Sequence, residues 1–364
     1  MKASVVMTRG GGFSVGDVQI AEPIGREVVV DVKASGLCHT DLTLANADLG
    51  YPVPAVFGHE AAGIVVAVGP DVTQVAEGDH VVGCLIQFCG QCIKCLSGRT
   101  FECLHPEFTL RGDSDSPRLV HDGEPISQAF GLGGFAQRVL AHENQLAVVP
   151  DELPFAQAAL LGCGLVTGAG AVLNTAKVQR GETVVVMGAG GVGLNAISGA
   201  VLAGAARVIV TDITDGKLDK AGAFGATDVI NSSEVDPVQA VRELLPGGVD
   251  HVFDFVGARP VTAQGLQMLG TGGGLYLIGI MGENPGIDLD ALTLLNNKSR
   301  VEGVYMGSSN LKRDIPFYAQ MSLAGRFNLK DLVSKEIGLG EIEAGYESLK
   351  NGSIARVVIT NFET

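Results

Sequence analysis

Four of the seven cysteines in this 364-residue chain, Cys89, Cys92, Cys95 and Cys103, fall on one short loop at the spacing C-x2-C-x2-C-x7-C. Four thiolates so close together suit a soft-ligand, tetrahedral ion, and a complete set of four leaves no coordination position for a substrate. The spacing therefore predicts a structural zinc lobe at about residues 89–103. The competing reading is a pair of disulfides in a secreted protein. Met1 leads into the strand-like run Ser4-Val5-Val6-Met7, without the charged leader, apolar run and small-residue cleavage site of a secretion signal. Reduced cysteines in the cytoplasm are the expectation. Among the remaining three, Cys38 and Cys163 sit in glycine-flanked contexts and Cys84 has no assignment.

Length favours about two domains. A net charge of −15, spread along the chain, opposes binding to a phosphate backbone, so nucleic acid is not an expected partner. Two uncharged stretches, 153–176 and 183–206, approach the length of membrane spans but are broken by glycines and by Asn174, Asn195 or Ser198. They are read as buried core, and no membrane partner is expected.

The first 150 residues alternate short β-branched runs (28–32, 61–68, 80–82) with turn signals, which predicts an all-β, partly open barrel. After Pro150, strand-like runs at 183–187, 208–211, 251–256 and 275–278 alternate with helical segments such as 192–206 and 218–224. That texture predicts a doubly wound parallel sheet, hence an α/β protein. A final β-rich segment at 355–360 is placed to return to the first domain.

Within the second region, Gly188-Ala189-Gly190-Gly191-Val192-Gly193 follows an apolar strand and opens an apolar helix. Gly188 would make the tight turn, Gly190 would admit a pyrophosphate to the backbone, and Gly193 would allow close helix–strand packing. The N–H groups at the helix start, from Gly191 on, suit an anion. Asp212 ends the next strand, where a carboxylate accepts the ribose hydroxyls and repels a 2′-phosphate. The expected cofactor is NAD rather than NADP, with Lys217 in reach of the adenosine ribose.

A second candidate ligand set comprises Cys38 in G-L-C-H-T-D, His59 in G-H-E and Cys163 in G-C-G. Singly, each is as readily a core residue. Together they make a Cys2His set with one tetrahedral position open, the arrangement known from catalytic zinc in alcohol dehydrogenase.

With these motifs in this order, L-G-C-G-L-V-T-G included, the whole chain resembles the zinc-dependent alcohol dehydrogenases of the medium-chain dehydrogenase/reductase superfamily. The resemblance implies a GroES-like catalytic domain (1–164 and 303–364) and a Rossmann NAD-binding domain (165–302). It implies one catalytic zinc on Cys38, His59 and Cys163, with Glu60 behind the metal and Asp41 orienting His59, and one structural zinc on the quartet. Thr40 takes the alcohol proton. His39 and Arg356, in the run 351–356, approach the pyrophosphate; Thr167 and Val192 approach the nicotinamide; Asp212 and Lys217 hold the ribose. Leu42, Leu85 and Phe130 are candidates for an apolar substrate wall. A homodimer or homotetramer is implied, with residues 301–306 as the candidate pairing strand.

The expected activity is hydride transfer between a primary, aromatic or allylic alcohol (or its aldehyde) and NAD. The chain departs from relatives with a terminal histidine in the proton relay, since Leu42, Thr43 and Leu44 follow Asp41; His39 or water is left for that step. Two alternatives stay open within the enzyme class. One is a formaldehyde dehydrogenase acting on S-hydroxymethyl-glutathione or -mycothiol, with Asp48 and Arg118 near the substrate carboxylates. The other is a nicotinoprotein with tightly bound NAD, suggested by residues 310–316. A zinc-ribbon binding module fits less well, because the lobe lacks dense flanking Lys and Arg. A metal-free reductase would leave Cys38, His59 and Cys163 without a purpose.

Overall fold

The computed structural model describes residues 1–279, 286–349 and 354–363; Asn351, Gly352 and Ser353 of the C-terminal motif lie outside them. The chain divides into two compact units, the first made of 1–163, 310–324 and 329–364, the second of 164–309 and 325–328.

The first unit is built from a six-stranded and a seven-stranded sheet that together make the partly closed barrel. Strand Glu27–Gly36 organises the larger one, because the β-branched run Val28-Val29-Val30 pairs antiparallel with Glu60–Val68 and with Arg138–His142. The tail strand Arg356–Asn361 pairs with its C-terminal end, so the last segment does return to the first unit. Alternating side chains bury Val28, Val30, Phe57, Phe135, Val139 and Val357 in one core.

The second unit carries six parallel strands. Numbered along the chain, they are Thr183–Met187, Arg207–Asp212, Asp228–Asn231, Val249–Asp254, Leu269–Leu277 and Arg300–Gly303, and their order across the sheet is 3-2-1-4-5-6. That is the doubly wound order whose switch point lies between strands 1 and 4, and ligands bind at the carboxyl ends of the strands there. The strand expected at 251–256 starts and ends two residues earlier, because Asp254 turns its carboxylate onto the N–H groups of Val256 and Gly257 and stops the ladder. The helix expected at 192–206 is Gly191–Ala203, closed by Gly204 at φ 84°. The segment expected at 218–224 starts earlier, at Asp215, and tightens into a 3-10 turn at Gly222–Phe224. The pairing strand expected at 301–306 ends at Gly303 and is the sheet's edge. Among the described residues no single helix is long and apolar enough to cross a membrane, and 153–176 is largely buried.

Candidate metal centre and dinucleotide cradle

The register of two strands assembles the metal centre. Gly36 stands opposite Glu60 across the antiparallel pair, so Cys38, two residues on, and His59, one residue before, emerge at the same end of the seam. Cys38 is the N-cap of helix His39–Asn46. Cys163 arrives on the turn Leu160–Gly162, where Gly162 lies so close to the carbonyl of Gly83 that an added Cβ would sit 2.1 Å from it. Cys38, His59, Glu60 and Cys163 are all buried, and their ligand atoms lie within 4.8 Å of one another. His59 Nε2 is 3.3 Å from Cys163 Sγ. Bonds of zinc length directed tetrahedrally would separate such a nitrogen and sulfur by about 3.5 Å. The donor set therefore fits zinc.

The surroundings prepare these groups for a cation. Asp41, in the first helical turn, places Oδ2 2.9 Å from His59 Nδ1 and accepts the Gly58 N–H at 3.0 Å on Oδ1. That fixes which ring nitrogen is left for the metal. Gly58 has φ 96° and packs its Cα against Phe135, so no side chain fits there. Burial opposes a charged His59, yet the carboxylate of Asp41 and the thiolate of Cys38 together push its pKa well above the usual value. The hydrogen bond from Cys163 holds the Cys38 thiol well below the ordinary thiol range. Burial pushes the Glu60 carboxyl up against the pull of Arg356, and neither Glu60 oxygen has a hydrogen-bond donor among the described residues. One of them lies against Gly36, where an added Cβ would be 2.2 Å away.

In the quartet, Cys92 caps the short helix Ile93–Leu96, which carries Cys95, while the turn Thr100–Glu102 delivers Cys103. The sulfurs of Cys92 and Cys95 are 3.5 Å apart and those of Cys89 and Cys95 4.0 Å. A tetrahedral tetrathiolate zinc needs about 3.8 Å. Backbone N–H groups of Cys92, Cys89 and His105 point at the sulfurs of Cys89, Cys103 and Cys103, as around metal-bound sulfur, while burial pushes the Cys103 thiol up. Cys84 is separate: burial pushes its thiol up to about 12, so it behaves as a small apolar side chain.

At the switch point of the second unit, Gly188 turns the chain at φ 97° and Gly190 is the N-cap of helix Gly191–Ala203. A Cβ on Gly193 would lie 2.0 Å from the carbonyl of Gly188, whereas one on Gly190 would meet nothing within 4 Å. Close packing on one side and open space on the other is what a pyrophosphate cradle requires. Val192 lies in the first turn of that helix. Asp212 ends its strand with Oδ2 accepting the Ala189 N–H at 2.9 Å and with Lys217 Nζ 3.9 Å away. The carboxylate is thus anchored to the glycine turn. The residues fit NAD.

Comparison with known proteins agrees with this geometry. Residues 25–151 match the alcohol dehydrogenase GroES-like domain, and residues 191–320 match the zinc-binding dehydrogenase family. The chain is 34% identical to S-(hydroxymethyl)glutathione dehydrogenase of Paracoccus denitrificans over 98% of its length and 99% of that protein's. It belongs to the zinc-dependent alcohol dehydrogenases of the medium-chain superfamily. Solved structures similar to it include an alcohol dehydrogenase zinc-binding domain protein from Burkholderia ambifaria (37% identity, TM-score 0.94, 100% and 99% coverage). Another is the benzyl alcohol dehydrogenase of Acinetobacter calcoaceticus (34% identity, TM-score 0.91, 99% of both chains).

Other residues expected to act in this alcohol dehydrogenase are placed as follows. Thr40 is half-buried between Cys38 and Asp41 on the helix, and His39 is exposed beside it. Thr167 is buried and donates to the sulfur of Met306 at 3.5 Å. Arg356 is only 5% exposed, with Nη2 3.6 Å from Glu60 Oε1 and Nη1 donating to the Leu37 carbonyl. Arg118 corrects an expectation. Its guanidinium is buried against Glu27 at 2.8 Å and donates to the Thr109 carbonyl, so it is engaged in the fold and not presented to a substrate carboxylate. Asp48 is exposed and pairs with Arg9 at 3.0 Å. Of the expected apolar wall, Phe130 packs edge-on to His59 at 5.1 Å, Leu42 is half-buried and Leu85 is buried. Tyr51 was missing from the expected wall, and its ring lies 4.8 Å from Phe130. A lone tyrosine in a Gly- and Pro-containing loop carries no spacing signal that reveals it.

Proposed function

We propose that the chain oxidises a primary aryl or allylic alcohol with NAD, and reduces the aldehyde in reverse, using one catalytic zinc at Cys38, His59 and Cys163 and one structural zinc at the quartet. The observation that carries this reading is the pair of donor clusters, one of four thiols and one, fully buried, of two thiols and an imidazole beside Glu60 and the ring of Phe130. When bound, the zinc supplies a Lewis acid for the alcohol oxygen and NAD supplies the hydride acceptor. The protein's own residues do the rest. Asp41 orients His59, Glu60 and Arg356 balance charge behind the cluster, and Thr40 passes the alcohol proton outward through a hydroxyl that never has to hold a charge. Asp212 selects the adenosine ribose. The contacts expected of His39, Thr167, Val192, Lys217 and Arg356 with NAD belong to the same proposal, as do a barrel unit serving catalysis and a parallel-sheet unit serving the cofactor.

Arg300–Gly303, the edge strand among the described residues, supports a homodimer or homotetramer, and seven cysteines outside disulfides suit the reducing cytoplasm. The test is NAD reduction across benzylic, allylic and aliphatic alcohols by zinc-loaded enzyme, with metal content measured in parallel. A second reading, oxidation of a hydroxymethyl-thiol adduct, is supported by the name of the Paracoccus relative. Activity on formaldehyde that requires glutathione or mycothiol would establish it. Near-stoichiometric nucleotide released on denaturing fresh enzyme, with turnover only when a second acceptor is present, would establish the nicotinoprotein variant.

A further inference from the structure

Two rings extend in space from His59, Phe130 at 5.1 Å from it and Tyr51 at 4.8 Å from Phe130, and the backbone of each is held by a dedicated polar side chain. Phe130 sits in the left-handed region at φ 56°, ψ 20°, which is a strained backbone for a bulky residue. Buried Gln145 maintains it: Nε2 donates to the Phe130 carbonyl at 2.8 Å and to the Cys84 carbonyl at 3.2 Å. Strain that the surroundings enforce is a mark of a functional position.

Tyr51 is held from the other side. Arg9 donates to the carbonyls of Leu44 and Ala47 at 3.0 Å each and to that of Tyr51, and it pairs with Asp48. One guanidinium thereby ties the end of helix His39–Asn46 to the loop bearing the ring. The Tyr51 hydroxyl has no hydrogen-bond partner among the described residues, and it is absent from the fully buried polar atoms that lack one. It is therefore an accessible donor. Burial and the charge of Asp41 push its pKa up to about 12, which keeps it neutral.

We propose that Phe130 and Tyr51 determine specificity, their rings receiving the ring of an aryl alcohol and the Tyr51 hydroxyl donating to an oxygen substituent at its far end. This rests on the alcohol dehydrogenase reading. The available group is a neutral donor; the guanidinium of Arg9, which holds the Tyr51 carbonyl, is already engaged by three carbonyls and by Asp48. A neutral ether, phenol or carbonyl oxygen matches it better than a carboxylate does.

The experiment compares kcat/KM for 4-methoxybenzyl alcohol and the similarly shaped 4-ethylbenzyl alcohol in wild type and Tyr51→Phe. Electronic effects of the methoxy group act in both enzymes and cancel in the quotient of the two ratios. We expect that quotient to be roughly three- to tenfold in favour of wild type, the worth of one hydrogen bond. Tyr51→Leu should in addition lower the preference for benzyl alcohol over cyclohexylmethanol, with zinc content checked in each variant. Oxidation of both aryl alcohols with a quotient of one overturns the hydrogen bond. An unchanged aryl preference in both Tyr51→Leu and Phe130→Leu overturns the wall. If no alcohol is oxidised at all, the functional reading falls first and this one with it.

Discussion

Asp41 and His59 form a fully buried pair, with Oδ2 2.9 Å from Nδ1, and the same carboxylate also receives the N–H of Gly58, the residue before the histidine. One side chain thus sets the ring and the backbone that carries it. Asp41→Asn keeps the shape but weakens both bonds. The zinc affinity of the Cys38 site should fall about 10- to 100-fold, the usual cost of losing such an orienting group. Competition with a chromophoric chelator reads this directly, and the quartet provides the internal control.

The two donor sets differ in closure, and metal loss should follow that difference. A chelator is expected to remove the Cys38, His59 and Cys163 zinc first, with loss of activity and little change in melting temperature. Removing the second zinc, from Cys89, Cys92, Cys95 and Cys103, should cost fold stability, because four free thiolates on one short loop repel. Fully active protein containing one zinc per chain would refute the assignment.

Asp212 is anchored by the Ala189 N–H and by those of Ile213 and Thr214, which keeps its charge at the end of the strand. Asp212→Gly should raise the KM for NAD and narrow the preference over NADP by roughly tenfold or more, since it removes charge-assisted hydrogen bonds and a repulsion together. Initial-rate kinetics with both cofactors decide it.

Glu27 is 4% exposed and bridges Arg111 at 2.6 Å and Arg118 at 2.8 Å. Burial raises its pKa, but the hydrogen bonds from Arg111 and the Ile24 N–H and the charge of Arg118 outweigh that, leaving it below 4.5. Because the folded value lies below the unfolded one, the stabilisation is complete above about pH 4.5 and is lost as pH falls through the folded value. Glu27→Gln should destabilise by about 3 kcal/mol at neutral pH, since it leaves two buried guanidinium groups without a counter-charge. The difference between wild-type and variant melting temperatures should shrink as the pH is lowered below 4.5.

The sequence by itself determined whatever depends on near neighbours along the chain. The quartet is legible because a closed tetrahedral site on one loop needs only spacing. Gly188, Gly190 and Gly193 are legible because one turn and one helix start impose their conformations. Cys38, His59 and Cys163 were legible as motifs, but their meeting is a product of register: Gly36 opposite Glu60 aligns two of them, and Gly162 packed on Gly83 delivers the third. Tertiary structure alone decided that Arg118 is engaged by Glu27, that Arg356 faces Glu60, and that Tyr51 stands next to Phe130. The physical reason is range. A long charged or aromatic side chain takes the partner that three-dimensional packing offers it, and that partner can lie hundreds of residues away, where no local spacing records it.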